Sequence, residues 1–123
     1  MMWLAVAIGG ALGAMSRYGL MQFIPASAGS FPWAVWWANI VGSTIIGLLY
    51  VLIVEKGLIA AEWRPLLIVG FLGALTTFST FALDAVLLWQ AGQIGTALSY
   101  VLSSVLGCLL CAIGGIWLAQ KLF

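Results

Sequence analysis

Four long apolar segments constrain this chain more than any other feature of its sequence. They cover residues 3–23, 33–54, 66–89 and 94–118. At a helical rise of about 1.5 Å per residue, each reaches about 30 Å, the thickness of the hydrocarbon core of a bilayer. Because 65% of the residues are hydrophobic and only 6% are charged, little remains to build a soluble module. We therefore predict an all-α membrane protein in which residues 1–123 form a single domain of four transmembrane helices.

The tryptophans support these boundaries. All lie within about one turn of a predicted helix end or in the adjoining loop. They are Trp3, Trp33, Trp36, Trp37, Trp63, Trp89 and Trp117. An indole ring prefers the headgroup layer, where the ring is half-buried and its N–H stays hydrated. A soluble core would instead scatter the tryptophans along the chain.

A signal peptide over residues 1–28 is the competing interpretation of the first segment. Ala26, Ser27 and Ala28 resemble a small-residue cleavage site. However, the apolar run is too long for a signal peptide, no Lys or Arg precedes it, and Arg17 interrupts it. We favour a first transmembrane helix.

Cys108 and Cys111 have the spacing of a redox or zinc pair, but they lie deep in the fourth apolar segment of a chain without histidine. Small packing residues are the favoured interpretation. The formal net charge of +1, with no basic cluster, gives no indication of nucleic-acid binding.

Three polar residues lie inside predicted spans, where an unpaired charge is costly and function is the default hypothesis. They are Arg17, Asn39 and Asp84. Because successive helices alternate in direction, these residues and Tyr100 should fall on the membrane side of the first and third loops, within one shared vestibule. Simpler interpretations stay open: a snorkelling Arg17, a structural Arg17–Asp84 pair, and an interhelical hydrogen bond from Asn39.

Two lines of residues run along the fourth segment with a spacing of four. The first is a ridge of small side chains: Ser99, Ser103, Gly107, Cys111 and Gly115. Such ridges let helix backbones approach closely and indicate packing. The second line consists of Tyr100, Ser104 and Cys108. A polar line along a buried helix either binds helices together or forms a pathway.

The stretch GFLGALTTFSTF, residues 70–81, combines glycines, hydroxyls and aromatic rings within an apolar span. Gly70 and Gly73 should weaken the helix, and the hydroxyls that follow can bond to freed carbonyls, so we predict a break in the third span. Irregular backbone at that depth must line a cavity, bind an ion or be buried in protein. Phe78 and Phe81 are neighbours on one helix face, and their ring edges would be weakly electropositive.

Three stretches of this chain resemble the Fluc-type fluoride channel family. They are GGALGAMSRYG at 9–19, ANIVGS at 38–43 and GFLGALTTFSTFALD at 70–84. The resemblance implies an antiparallel, dual-topology homodimer with two pores, in the plasma (inner) membrane of a microbe. It implies a fluoride-selective channel that passively exports cytoplasmic fluoride, rather than an enzyme.

The resemblance also implies roles for individual residues. Phe78 and Phe81 would line the pore with their ring edges, and Asn39 would lie near its mouth. The hydroxyls of the pathway would be Thr80, Tyr100 and Ser104. A structural sodium ion on the twofold axis would be held by backbone carbonyls, here those of about Gly73 and Ala74. Family members often carry threonine in place of Ala74 and glutamate in place of Asp84.

Two other functions compete with a fluoride channel. A small multidrug-resistance-type proton-coupled antiporter shares the size and four spans, but it needs an acidic residue in the first helix, where this chain has Arg17. A structural subunit of a larger membrane complex would not explain hydroxyls and aromatic rings around a helix break.

The distribution of basic residues gives a modest topological bias. Lys56, Arg64 and Lys121 lie on one side of the predicted membrane, and only Arg17 lies toward the other. The positive-inside rule counts such residues near span ends. The resemblance nevertheless implies that both orientations occur.

Overall fold

The computed structural model describes residues 1–123, and all of its regular structure is helical. Helix α1 is Met2–Phe23 and α2 is Trp33–Tyr50, which continues as a π-helical stretch over Val51–Glu55. A single 3₁₀ turn at Ala61–Trp63 leads into the third span. There α3 comprises the π-helical Pro65–Leu72 and the α-helical Gly73–Leu75; α4 is Phe78–Gln90, and α5 is Ile94–Leu122.

The four predicted spans are confirmed. Stretches long and apolar enough to cross a membrane are Met2–Phe23, Trp33–Glu55, Ala61–Gln90 and Ile94–Leu122. Their ends differ from the predicted ends by a few residues. The largest extensions are at the start of the third span and the end of the fourth, where helical backbone continues past the apolar run.

The third span is bent between α3 and α4. Thr76 (φ −83°, ψ 152°) and Thr77 (φ −152°, ψ 124°) are both extended, so the helix stops after Leu75 and a new one begins at Phe78. The predicted break is therefore confirmed, but the glycines before it have another use. Gly70 lies in continuous helical backbone, where a Cβ atom would come 2.7 Å from the Val6 carbonyl oxygen of α1.

Small residues let the helices pack in two close pairs. Gly9 and Gly13 bring α1 against α3, since a Cβ on either would meet the carbonyl oxygen of Leu66 or Phe71. On the other side, a Cβ on Gly115 of α5 would meet the Thr44 carbonyl of α2. The predicted small-residue ridge on the fourth span is thus a packing surface, and Gly9 and Gly13 form a second one on the first span.

A tight turn joins α4 to α5 as an antiparallel hairpin. Gly92 adopts φ 74°, a left-handed conformation that glycine tolerates best, and its N–H donates to the Trp89 carbonyl oxygen at 3.0 Å. The turn places the first half of α5 against α4. As a result Asp84 and Tyr100, 16 positions apart, lie opposite each other.

The chain buries little of its own apolar surface. Only 21 of 123 residues are buried, and large hydrophobic side chains on every span are exposed. One buried cluster joins Phe81, Tyr100 and Val35, and a second joins Ala38, Leu72 and Leu75. The exposed surface is that of a protein surrounded by lipid or by another subunit.

Candidate functional site

The hydroxyls of residues 76–80 hold the helix break in place. The Thr76 N–H and hydroxyl both donate to the Leu72 carbonyl oxygen, at 3.0 and 2.8 Å, and so finish α3. Thr77 is the N-cap of α4, because its Oγ1 accepts from the Thr80 N–H at 3.2 Å. The same Oγ1 also contacts the hydroxyls of Ser79 and Thr80, each at 3.2 Å. Most of the hydroxyls in this stretch thus serve the backbone or one another.

Asn39 clamps the break from the neighbouring helix. Its Oδ1 accepts from the Thr77 N–H at 2.8 Å, and its Nδ2 donates to the Thr77 carbonyl oxygen at 3.1 Å. One side chain of α2 therefore satisfies both backbone polar groups of an extended residue. This pairing is the interhelical hydrogen bond that the sequence left open, and it leaves one Asn39 N–H unused.

The clamp also frees carbonyl oxygens at the end of α3. In a continuing helix the Thr77 N–H would bond to the Gly73 carbonyl, but here it is bonded to Asn39. The last carbonyls of a helix lack intrahelical partners and carry its negative dipole end. Gly73 is exposed and Ala74 is half-exposed, so these carbonyls lie near the surface of the subunit.

A groove of about 440 Å³ runs beside the break, between α2, α3, α4 and α5. Its lining includes Asn39, Phe78, Phe81, Ser104 and Cys108. The two phenylalanine rings have centroids 5.4 Å apart and planes inclined by 47°. Phe81 is only 8% exposed, whereas Phe78 is 77% exposed. The groove is therefore open on the side where Phe78 stands.

Ser104 is the one buried side chain whose hydroxyl has no partner. The residue is 4% exposed, lines the groove, and its Oγ makes no hydrogen bond. Leaving a buried hydroxyl unpaired costs about 1–3 kcal/mol. Such exceptions in a folded protein call for an explanation, and a small polar or charged guest in the groove supplies one.

Asp84 lines a second cleft, of about 380 Å³, formed with the loop between α1 and α2. The Tyr100 hydroxyl donates to Asp84 Oδ2 at 3.4 Å, and the Tyr100 ring lies 5.2 Å from that of Phe81. Phe78, Phe81, Tyr100 and Asp84 thus form a continuous line from the groove to this cleft. Tyr100 itself is fully buried and lies between the two openings.

The remaining predicted site residues lie outside the groove beside the break. Thr80 accepts a hydrogen bond from the Thr77 hydroxyl and does not line the groove. Arg17 makes no hydrogen bond or ion pair within the chain and lines neither cleft. Asp84 is bonded to Tyr100 and not to Arg17. Within one subunit, the expected common vestibule therefore reduces to Asp84 and Tyr100.

Two residues that support Tyr100 were not identified from the sequence as part of the site. The Phe31 ring meets the Tyr100 ring edge to face, with centroids 5.3 Å apart and planes at 84°. The Trp36 indole N–H donates to Ser103 Oγ at 3.1 Å and ties α2 to α5. Tryptophan position suggested only the headgroup layer, and no spacing rule relates Phe31 to Tyr100.

The chain brings no three His, Cys, Asp or Glu side chains together in a metal-binding group. A cation bound at the break would therefore depend on carbonyl, amide or hydroxyl oxygens. These are the ligands that hard cations prefer.

Comparison with known proteins gives a consistent result. A family model described as "CrcB-like protein, Camphor Resistance (CrcB)" matches residues 4–116. The protein "Fluoride-specific ion channel FluC" of Saccharophagus degradans is 45% identical over 122 residues, which cover 98% of this chain and 91% of the relative. Relatives of the same name from Hahella chejuensis and Thermus thermophilus are 47% and 44% identical, over 94% and 91% of this chain and 91% and 89% of their own lengths.

Proposed function

Since this chain belongs to the CrcB-like family, we propose that it is a fluoride-selective ion channel that lets cytoplasmic fluoride leave passively across the plasma membrane. It is a multi-pass membrane protein and not an enzyme. The observation that carries the proposal is the groove beside the helix break, where the buried and unpartnered Ser104 hydroxyl lies among the lining residues with Phe78 and Phe81.

The groove offers fluoride several weak donors and no strong one. Fluoride is small and strongly hydrated, and moving a bare ion into a low-dielectric medium costs on the order of tens of kcal/mol. The Ser104 hydroxyl, the unused Asn39 N–H and the positive ring edges of Phe78 and Phe81 can share that solvation. Because each is neutral, the ion can also leave, which conduction requires.

A second copy of the chain would complete the pathway. Phe78 is 77% exposed on the open side of the groove, so a lone subunit provides only part of the wall that a dry pathway needs. In an antiparallel homodimer, each subunit would cover the open side of the other subunit's groove, which would give two pores. The modest excess of Lys and Arg on one side, three against one, is compatible with insertion in both orientations.

A structural sodium ion fits the chemistry of the break. The Asn39 clamp removes the Thr77 N–H from the Gly73 carbonyl, and main-chain oxygens suit a hard cation. Gly73 and Ala74 would hold the ion, with equivalent carbonyls from the second subunit across the twofold axis. A bound cation would add positive potential near the anion path. The chain's own part is to keep the Gly73 carbonyl free of the Thr77 N–H, which Asn39 does.

No observation favours the proton-coupled antiporter. Such a mechanism needs an acidic side chain in the first span, and the only charged residue of α1 is Arg17.

Fluoride release from liposomes tests the proposal. Purified protein is reconstituted into potassium fluoride-loaded vesicles, a potassium ionophore is added, and external fluoride is followed with an electrode. We expect rapid release of fluoride and no release of chloride from matched chloride-loaded vesicles. Release no faster than from protein-free vesicles would refute the channel assignment.

A further inference from the structure

The groove contains one cysteine, which none of the proposed roles uses. Cys108 lies one helical turn beyond Ser104 on α5, lines the same groove, and carries a free, half-exposed thiol. The second cysteine, Cys111, is also free and half-exposed, but it does not line the groove. It lies on the small-residue ridge between Gly107 and Gly115, which faces α2.

The unpartnered Ser104 hydroxyl gives the groove the character of a site for a small guest. Its Oγ is buried and makes no hydrogen bond within the chain, so it is free to bond to a molecule in the groove. A molecule small enough to reach Ser104 in this groove comes within about one helical turn of the Cys108 thiol. Cys108 is also the only lining residue that can form a thiolate, the reactive form of a cysteine side chain.

We infer that Cys108 is a modification site through which small, neutral thiol-reactive electrophiles close the ion pathway. The inference rests on the proposed function, because closure is measured as loss of fluoride release. For a methyl thiosulfonate, the Cys108 sulfur bonds to the methylthio sulfur, the sulfur–sulfonyl bond breaks, and methanesulfinate leaves while the thiol proton goes to water. The product is a mixed disulfide that adds a methylthio group to the groove beside Ser104.

The modified groove should conduct poorly for two reasons. The added group occupies volume in a groove of about 440 Å³ that the ion must share. It also places an apolar methyl next to the Ser104 hydroxyl, one of the few donors available to replace water around the ion. A reductant breaks the mixed disulfide and restores the thiol, so closure should be reversible.

The test uses the full protein in fluoride-loaded liposomes treated with methyl methanethiosulfonate. Release is measured before and after treatment, and mass spectrometry of digested protein identifies the modified cysteine. We expect a Cys108 adduct, release reduced to the protein-free background, and recovery with dithiothreitol. Cys111→Ala should show the same block, whereas Cys108→Ala, normalised to its own untreated rate, should not be blocked.

Two outcomes would overturn the inference. One is a complete Cys108 adduct with unchanged release; the other is an unmodified Cys108 under conditions that modify a cysteine introduced in the loop at Ser27. Absence of release before any reagent is a different result. It would refute the proposed function, while the adduct measurement would still report whether the Cys108 thiol can be reached.

Discussion

Replacing Asn39 with aspartate should weaken its hydrogen bonding to Thr77 at the helix break, and the loss should depend on pH. The carboxylate keeps the oxygen that accepts from the Thr77 N–H at 2.8 Å. It replaces the donating Nδ2, 3.1 Å from the Thr77 carbonyl oxygen, with a second acceptor. One carboxylate oxygen then faces the Thr77 carbonyl oxygen with no hydrogen between them. The carboxylate therefore attracts the Thr77 N–H but repels the Thr77 carbonyl.

The magnitude follows from two contributions. Losing the hydrogen bond to the Thr77 carbonyl costs about 1 kcal/mol. An aspartate at the centre of a transmembrane helix costs about 2.5–3.5 kcal/mol, which is an upper bound for Asn39 because this residue lies in the first third of the span Trp33–Glu55. We therefore expect Asn39→Asp to destabilise the folded protein by between about 1 and 4 kcal/mol when ionised. Protonation removes the charge and restores a donor toward Thr77, so most of this loss should be recovered as the pH falls.

This effect is measured by heating the purified protein in detergent at neutral and at acidic pH. Size-exclusion chromatography then gives the fraction that remains folded at each temperature. Ser43→Asp is the matched control, because Ser43 lies one turn further along α2 and lines the same groove without contacting the break by a hydrogen bond. Both variants gain an acid, but only Asn39→Asp should regain a bond to Thr77 on protonation. Equal recovery of both variants at acidic pH would refute the clamp.

The remaining predictions concern the ion path, the cation and topology. Phe78→Ile and Phe81→Ile keep bulk but remove the ring quadrupole, so fluoride release should fall sharply while the dimer still assembles; normal release would contradict the ring-edge role. Thr80→Val should slow release less than either, since Thr80 is bonded to Thr77 and lies outside the groove. Gly73→Leu should impair release by crowding the α3 carbonyls, whereas Ala74→Thr should be tolerated, because the proposed ligands are main-chain oxygens. A single cysteine at the C-terminus of an otherwise cysteine-free protein should be labelled in equal shares from the two sides of the membrane; a single orientation would exclude the antiparallel dimer.

The features predictable from sequence are those that depend on one helix at a time. Span positions follow from apolar length, and the small ridge containing Gly115 follows from its spacing of four. The break was predictable because hydroxyls cluster in an apolar span, although Thr76 and Thr77 adopt the extended backbone and Gly70 instead contacts α1. Local composition identifies the region where a helix breaks, but not which residues leave the helical conformation.

Contacts between helices could not be read in the same way. The Asn39–Thr77 clamp joins residues 38 positions apart, and its existence depends on the rotation of α2 about its own axis. The Tyr100–Asp84 bond depends on the tight turn at Gly92, which sets the register of α5 against α4. Sequence patterns indicated that these polar residues need partners, but the choice of partner is made by packing.

The division of polar atoms between backbone and groove would explain how a hydroxyl-rich break can stand beside the proposed, weakly binding ion pathway. The hydroxyls of Thr76 and Thr77 bond to the ends of α3 and α4, and Asn39 uses its Oδ1 and one of its two amide N–H groups to bond Thr77. What remains in the groove for the proposed ion path is one Asn39 N–H, the Ser43 and Ser104 hydroxyls and two ring edges. If all the hydroxyls of the break faced the groove, they would hold a strongly hydrated anion too tightly for it to leave. In the proposed pathway, the backbone of the break would therefore limit the number of donors that the ion meets.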